Sequence, residues 1–260
     1  IKQRGNGRQF AANGGRRQRA AFHILTPSDQ VGAGDDPELL RAHDAHEAGE
    51  VLHIELIGVA VQSKFPNVGI SIPFAKAGVG AVATQSYCNT SFGPRGFALL
   101  ENGASPEQAL EILIGGDPQR DYRQVGIIDA QGRTASFTGA RCFDWAGDYR
   151  GEYCSAQGNT LAGLGVVEGM VRAFEGARGP LAERLLAALQ AGQAAGGDRR
   201  GQQSAALLVK RAGGGYGGFD DRYVEISVCD HPTPIAELER LYAIHRLTYL
   251  RSDPDKLVRI

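Results

Sequence analysis

QVGIIDAQGRTASFT, residues 124–138, is the stretch whose reading decides the fold. Gln124–Asp129 and Thr134–Thr138 are short, rich in β-forming residues and bounded by turn residues, so both read as strands. Between them Asp129-Ala-Gln-Gly-Arg133 reads as a hairpin loop, with Gly132 placed where the chain needs a positive φ. This part of the sheet is therefore expected to be antiparallel. The same texture recurs outward along the chain. Gly58–Ser63 (GVAVQS), Gly78–Gln85 (GVGAVATQ), Glu152–Gln157, Gln203–Lys210 and Tyr223–Val228 are further strands by the same criteria.

Helices are marked by their ends. Ser105-Pro106-Glu107-Gln108 has an N-cap serine, proline at the first helical position and the glutamine of a capping box. Pro180 opens a second helix, with Leu181, Leu185, Leu186 and Leu189 as its apolar stripe and Gly196-Gly197 as its stop. A third begins near Pro234, with Ile235, Leu238, Leu241, Tyr242 and His245 on one face, and a fourth spans Leu164 to Phe174. Antiparallel strands with helices inserted in pairs predict an α+β fold, sheets covered by helical layers, and not a parallel βαβ series.

Composition narrows the function classes. The 260 residues carry 28 basic and 29 acidic side chains, a net charge of −1, which offers no field to hold a polyanion, so nucleic acid is not an expected partner. No apolar run approaches the roughly 18 residues of a membrane span, and the first residues lack the apolar core of a secretory signal. Cys88, Cys142, Cys154 and Cys229 show neither C-x-x-C pairing nor metal-type spacing, so they read as buried small hydrophobes in a reducing, cytoplasmic compartment. The Gly213–Gly218 run, GGGYGG, lacks the Gly-Lys-Ser/Thr of a phosphate loop and reads as a flexible connection. No cofactor is expected.

The first 57 residues differ in texture. Residues 1–20 hold six basic residues (Lys2, Arg4, Arg8, Arg16, Arg17, Arg19), no acids and little apolar surface, and read as a loosely attached basic tail. The chain opens at Ile1, and its one methionine is Met170, which points to a processed start or a sequence shorter than the full reading frame. His43, Asp44, His46, Glu47 and His53 have the residue types of a metal site, but no apolar stripe anchors them on a helix, so no metal is expected.

Several motifs in order carry a resemblance: GVAVQSKFPNVG (58–69), AKAGVGAVATQSY (75–87), FGPRG (92–96), QVGIID (124–129), TGARC (138–142), AQGNTLAG (156–163), AAGGDRRGQQSAALLV (194–209) and DHP (230–232). Together they resemble the Ntn-hydrolase-like family catalogued as domain of unknown function 1028, from residue 58 to about residue 246. The resemblance implies a four-layer αββα sandwich, two antiparallel sheets face to face between helical layers. Residues 58–260, with 21–57 as a divergent first-strand region, then form one domain. It also implies amide-bond hydrolysis by a chain-initial Thr, Ser or Cys whose own α-amine takes the proton. The amine suits that task because its pKa of about 7.7–8.0 leaves part of it neutral at physiological pH.

Here the sequence departs from the pattern. Arg41–Glu50 (RAHDAHEAGE) resembles the turn after the nucleophile strand, but counting back places Pro37 at the expected nucleophile, and the other candidate strand, Ala21–Leu25, offers Ala21. Val51–Glu55 looks like an insertion. Two explanations are open: a divergent segment without the usual nucleophile, or a stretch translated in a shifted frame.

The resemblance and local chemistry together nominate site residues. Lys64 and Lys76 sit at strand ends where a lysine could lower the effective pKa of a nearby amine, and Ser63 could hydrogen-bond it. Asn159 could face a developing oxyanion. Asp198 could orient the base or nucleophile, Arg199 or Arg200 and Arg95 could grip an anionic substrate group, and Ser204 could hold the amine. Each also has a structural reading, as a strand end, turn former, internal ion pair or helix cap. Cys154 is an internal thiol without a local histidine to activate it. The expectation is a cytoplasmic, homodimeric amidohydrolase acting on a small linear amide, a small-molecule substrate, or else a non-catalytic relative that binds a small polar ligand.

Overall fold

The computed structural model describes residues 22–28 and 56–249. Ten strands lie there: β1 Phe22–Ser28, β2 Leu56–Ser63, β3 Pro73–Lys76, β4 Gly80–Ser86, β5 Arg123–Asp129, β6 Thr134–Thr138, β7 Gly147–Gly151, β8 Cys154–Gly158, β9 Ser204–Arg211 and β10 Arg222–Val228. Five α-helices accompany them among the described residues: α1 Phe92–Glu101, α2 Pro106–Gly115, α3 Leu164–Gly176, α4 Leu181–Ala194 and α5 Pro234–Thr248. The basic tail, the Arg41–Glu50 turn, Pro37, Ala21, the Val51–Glu55 segment and the histidine–acid group at 43–53 lie outside the described residues.

All strand pairing is antiparallel. Six strands form one sheet in the order β10-β9-β2-β1-β8-β7, and four form a second in the order β3-β4-β5-β6. The 129–133 hairpin joins β5 to β6 as expected, with Gly132 at φ 79° and its N–H donating to Asp129 O at 3.0 Å. β1 is the central strand that ties the six-stranded sheet together. Phe22–Ser28 pairs with Gln62–Leu56 on one side, and Phe22–Leu25 pairs with Gly158–Ser155 on the other.

Period-two alternation sorts the strand residues between cores. Ile57, Val59 and Val61 of β2 pack with Ala206 of β9, Ala81 and Ala83 of β4 and Ile128 of β5, between the two sheets. Ala60, on the other face of β2, joins Ala156, Leu207 and Val209 against Val167, Met170 and Val171 of α3, Leu185 and Leu189 of α4, and Leu238 of α5. A third cluster sets Val82, Val125, Ile127 and Ala135 against Phe92 of α1 and Ala109, Leu110 and Leu113 of α2.

The helix punctuation reads through to the structure. Ser105 Oγ accepts from Gln108 N at 3.3 Å while Gln108 Oε1 accepts from Ser105 N at 2.8 Å, a complete capping box. Leu181, Leu185, Leu186 and Leu189 are all buried, and α4 stops at Ala194, just ahead of Gly196 and Gly197, both with positive φ. Tyr242 and Ile235 of α5 are buried, and His245 Nε2 lies 3.1 Å from Tyr223 O.

Some expectations change. β3 and β7 are strands that the pattern did not mark. β3 is four residues long, and β7, GDYRG, is a half-exposed sheet edge with almost no apolar residue, so neither carries an alternation signal. β8 begins at Cys154, not Glu152, because Tyr153 adopts φ 54° in the turn from β7. FGPRG lies inside a helix, α1, whose first turn tolerates Pro94 because that N–H has no intrahelical partner to lose. Of the cysteines only Cys154 is fully buried; Cys88 and Cys142 are half-buried and Cys229 is exposed. The GGGYGG run is indeed a connection, between β9 and β10, with a short 3-10 turn at Tyr216–Gly218.

Gly139, of the TGARC motif, packs directly on backbone. Its N–H donates to Arg123 O at 2.9 Å, and a Cβ there would stand 2.3 Å from Asp121 O and 2.5 Å from Asp121 C. Backbone cannot swing aside as a side-chain end can. Gly139→Ala is expected to cost about 1–3 kcal/mol, read as a lower midpoint in urea unfolding.

Candidate functional site

The sheet registers bring one set of strand ends together. Phe22 pairs with both Gln62 and Gly158, so the N-terminal end of β1 opens onto Ser63 at the end of β2 and Asn159 just past β8. Ser63 in turn pairs with Ser204 at the start of β9. Ser63, Asn159, Ser204 and Asp198 are all buried. Thus sequence positions 22, 63, 159, 198 and 204, far apart in the chain, share one end of the six-stranded sheet.

Asp198 is the hub of this end. Its carboxylate has no solvent exposure; it accepts from Lys64 N at 3.2 Å and Arg200 N at 2.9 Å, and from the Arg200 guanidinium at 3.0 Å and 2.7 Å. A buried carboxylate requires such pairing, since unpaired it would carry a heavy desolvation cost. Its backbone pairs with Leu161 beyond β8, and Gly201, at φ 101°, donates its N–H back to Asp198 O at 2.8 Å. The GDRRG motif is therefore a tight turn that clips the end of β2 to the segment after β8. Lys64 itself is exposed, with Nζ donating to Gln202 O at 3.1 Å.

The remaining nominated residues are placed as follows. Ser204 Oγ donates to Phe65 O at 2.5 Å and accepts from Val68 N at 3.0 Å, so its hydroxyl pins the loop after β2. Arg199 is exposed; its backbone N–H donates to Thr160 O at 2.9 Å and its guanidinium donates to Asp144 O. Lys76 is not brought to this end: it pairs across from Gly80 at the opposite end of the four-stranded sheet and salt-bridges Glu101. Arg95 is also elsewhere, exposed on α1 with its guanidinium 6.0 Å from the centre of the Phe92 ring. Cys154 faces the helical core, where burial pushes its thiol up to about 12; it stays a neutral thiol and a poor nucleophile.

Between the sheets, beside Asn159, lies a buried amide cluster that motif reading missed. Gln124 Nε2 donates to Gly158 O at 2.8 Å, Thr138 Oγ1 at 3.0 Å and Gly147 O at 3.2 Å. Gln124 Oε1 accepts from Gln85 Nε2 at 2.5 Å and Asn159 Nδ2 at 3.1 Å. Gln157 Nε2 reaches Ala83 O at 3.4 Å across the sheets. A sequence signal existed: Gln85 and Gln124 continue the inward alternation of Ala81, Ala83 and of Ile128, placing polar side chains where the pattern demands apolar ones.

The backbone here is locally strained. Thr160 is β-branched yet sits at φ 58°, a conformation that costs of order 1–3 kcal/mol when the surroundings impose it. Its N–H donates to Phe143 O at 2.8 Å and its carbonyl accepts from Arg199 N, so both flanks hold it and Asn159 is presented from a fixed turn.

A neighbouring ion cluster braces the four-stranded sheet at the same end. Arg123 donates from Nε to Asp117 Oδ2 at 2.8 Å, from NH1 to Tyr87 O at 2.5 Å and from NH2 to Gln119 Oε1 at 3.0 Å, while Asn89 Nδ2 donates to Asp117 at 3.1 Å. Burial pushes the Asp117 carboxyl upward, but the bonds from Arg123, Asn89 and the Gln119 N–H outweigh it and hold the group below its ordinary value. Among the described residues, no group of three or more His, Cys, Asp or Glu stands ready to hold a metal ion, and no helix is long and apolar enough to cross a membrane.

Two measurements test these assignments. Ser204→Ala strands Val68 N and Phe65 O, and is expected to cost about 1–3 kcal/mol in urea unfolding. Because the folded-state pKa of Asp117 is depressed, its contribution to stability is complete above the unfolded value and is lost as pH falls through the folded one. Asp117→Asn is therefore expected to lower the melting temperature at neutral pH and to flatten its decline below about pH 4.

The comparisons with known proteins agree with this architecture. A protein from Silicibacter pomeroyi, SPO2555, whose crystal structure is described under family model DUF1028, superposes with a TM-score of 0.71 at 29% identity, covering 87% of this chain and 86% of that one. Anbu (ancestral beta-subunit) from Yersinia bercovieri gives a TM-score of 0.33 at 9% identity over 87% of this chain and 95% of that one, and nothing rests on that likeness. No curated protein matches. The model of the family of unknown function DUF1028 matches residues 53–238, and with most of its length so matched the chain belongs to that family.

Proposed function

We propose that the protein is an Ntn-hydrolase-type αββα sandwich carrying a site for a small linear amide at the N-terminal end of β1. Three core clusters support the layering: helices against the six-stranded sheet, sheet against sheet, and the four-stranded sheet against α1 and α2. The observation that carries the site is the position of β1. It is the central strand, and its N-terminal end opens onto Ser63 and Asn159, with Asp198 and Lys64 clipped beside them.

In that arrangement hydrolysis would use a hydroxyl or thiol on a residue whose free α-amine lies at the head of β1. The amine takes the nucleophile's proton, the nucleophile attacks the amide carbon, and the amine returns the proton to the departing nitrogen; a water, deprotonated by the same amine, then attacks the acyl-enzyme, the acid leaves and the nucleophile regains its proton. The exposed Lys64 ammonium favours the neutral amine by repulsion. Asp198, saturated by Arg200 and two backbone N–H groups, acts as a scaffold for the β2 end in this scheme.

A second reading, binding without turnover, is favoured by one specific observation. The sequence from residue 18 to residue 25 contains no Ser, Thr or Cys, and the first hydroxyl of β1 is Thr26, which is paired opposite Gly58 well inside the ladder. An internal residue has no free α-amine.

N-terminal sequencing and intact mass of the natively expressed protein, with assay of ammonia release from small amides, separate the two. The hydrolase is expected to start at a residue bearing a hydroxyl or thiol and to release ammonia. A chain that starts at Ile1, binds amides and releases none establishes the binding protein instead.

A further inference from the structure

The buried amide cluster fixes the polarity of the surface offered beside β1, and the argument runs from atoms that can act in one way only. Backbone carbonyls only accept hydrogen bonds. Gln124 faces the carbonyls of Gly158, at 2.8 Å, and Gly147, at 3.2 Å, so its amide nitrogen points to them and its oxygen points the other way. That oxygen accepts from Asn159, so Asn159 presents nitrogen to Gln124 and is left with its own oxygen outward. Gln157 is oriented in the same manner by the carbonyl of Ala83, leaving Oε1 as its outer atom.

Among the described residues both outer atoms, Asn159 Oδ1 and Gln157 Oε1, are fully buried and accept no hydrogen bond. A buried carbonyl oxygen left without a donor destabilises the fold. Two of them, two residues apart at the end of β8, each on the opposite side of its amide from the β4 or β5 group that holds the nitrogen, are acceptors that a donor should complete. The oxyanion role nominated for the Asn159 side chain has the opposite polarity.

We infer that Asn159 Oδ1 and Gln157 Oε1 accept N–H groups of the bound ligand, which is therefore an unsubstituted amide or ureide recognised by its N–H edge. The inference rests on the small-amide reading above and narrows it to ligands with N–H donors. It involves no covalent step, so it is tested by binding alone.

The experiment titrates the full chain with propionamide, N,N-dimethylpropionamide and methyl propionate, by calorimetry and by thermal shift. Propionamide is expected to bind tighter than the other two by on the order of tenfold or more, because a site built for an N–H donor leaves its own acceptors unpaired with an analogue that lacks one. Gln157→Met, which keeps the volume and removes the acceptor, is expected to melt at or above the wild-type temperature and to lose that preference. Equal binding of the three compounds overturns the inference and leaves the small-amide reading standing. Failure of all three to bind overturns both. A Gln157→Met protein that keeps the preference for propionamide also overturns the inference, and should that variant not fold, the three-compound comparison on the wild type decides alone.

Discussion

The architecture depends on one antiparallel insertion. β10-β9-β2 and β8-β7 are two separate ribbons until β1 pairs with β2 over its full length and with β8 over Phe22–Leu25. A single sheet of six strands then packs one face on α3, α4 and α5 and the other on the four-stranded sheet. Removing that strand would expose two rows of backbone donors and acceptors in the middle of the molecule, a cost that no side-chain packing offsets. The candidate site sits at the head of this same strand.

The two ends of the sheet-to-sheet interface are built differently. Toward one end the interior is Ile57, Val59, Ala81 and Ile128, packed as an ordinary apolar core. Toward the other, Gln85, Gln124, Gln157, Asn159, Ser136 and Ser155 occupy equivalent inward positions, joined by hydrogen bonds such as Ser136 Oγ to Ser155 Oγ at 3.1 Å. A buried polar network is tolerable when fully satisfied and expensive when not. Among the described residues it is satisfied except at its rim, where strain at Thr160 and unpaired oxygens on Gln157 and Asn159 coincide. Features that cost stability and coincide at one spot are typical of functional sites, which is why this end of the sheet is the candidate.

Much of the fold was legible because local rules and tertiary packing agree. β-rich runs bounded by turn residues named β2, β5, β6 and β9; the Ser105 capping box and the Gly196-Gly197 stop bounded helices; Gly132 specified a hairpin. β3 and β7 were illegible because an edge strand is stabilised by the neighbour it joins, not by its own pattern. Of the nominated side chains, Ser63, Lys64, Asn159, Asp198 and Ser204 gather at one end, while Lys76 and Arg95 do not. A lysine at a strand end looks the same from either end of a sheet, and only register tells which end it occupies.

By itself the sequence determined the strand and helix periods, the antiparallel hairpin, and the family motifs that span most of the chain, since each is a local pattern or an ordered string. Tertiary structure alone decided that Phe22–Ser28 is the central strand, because Phe22, Gln62 and Gly158 become neighbours only through ladders between distant segments. It also decided that Ser204 pins a loop, that Asp198 is held by Arg200, and that the Asn159 amide turns its oxygen outward. Those assignments depend on which carbonyl faces which nitrogen across the sheets, and no spacing along the chain encodes that.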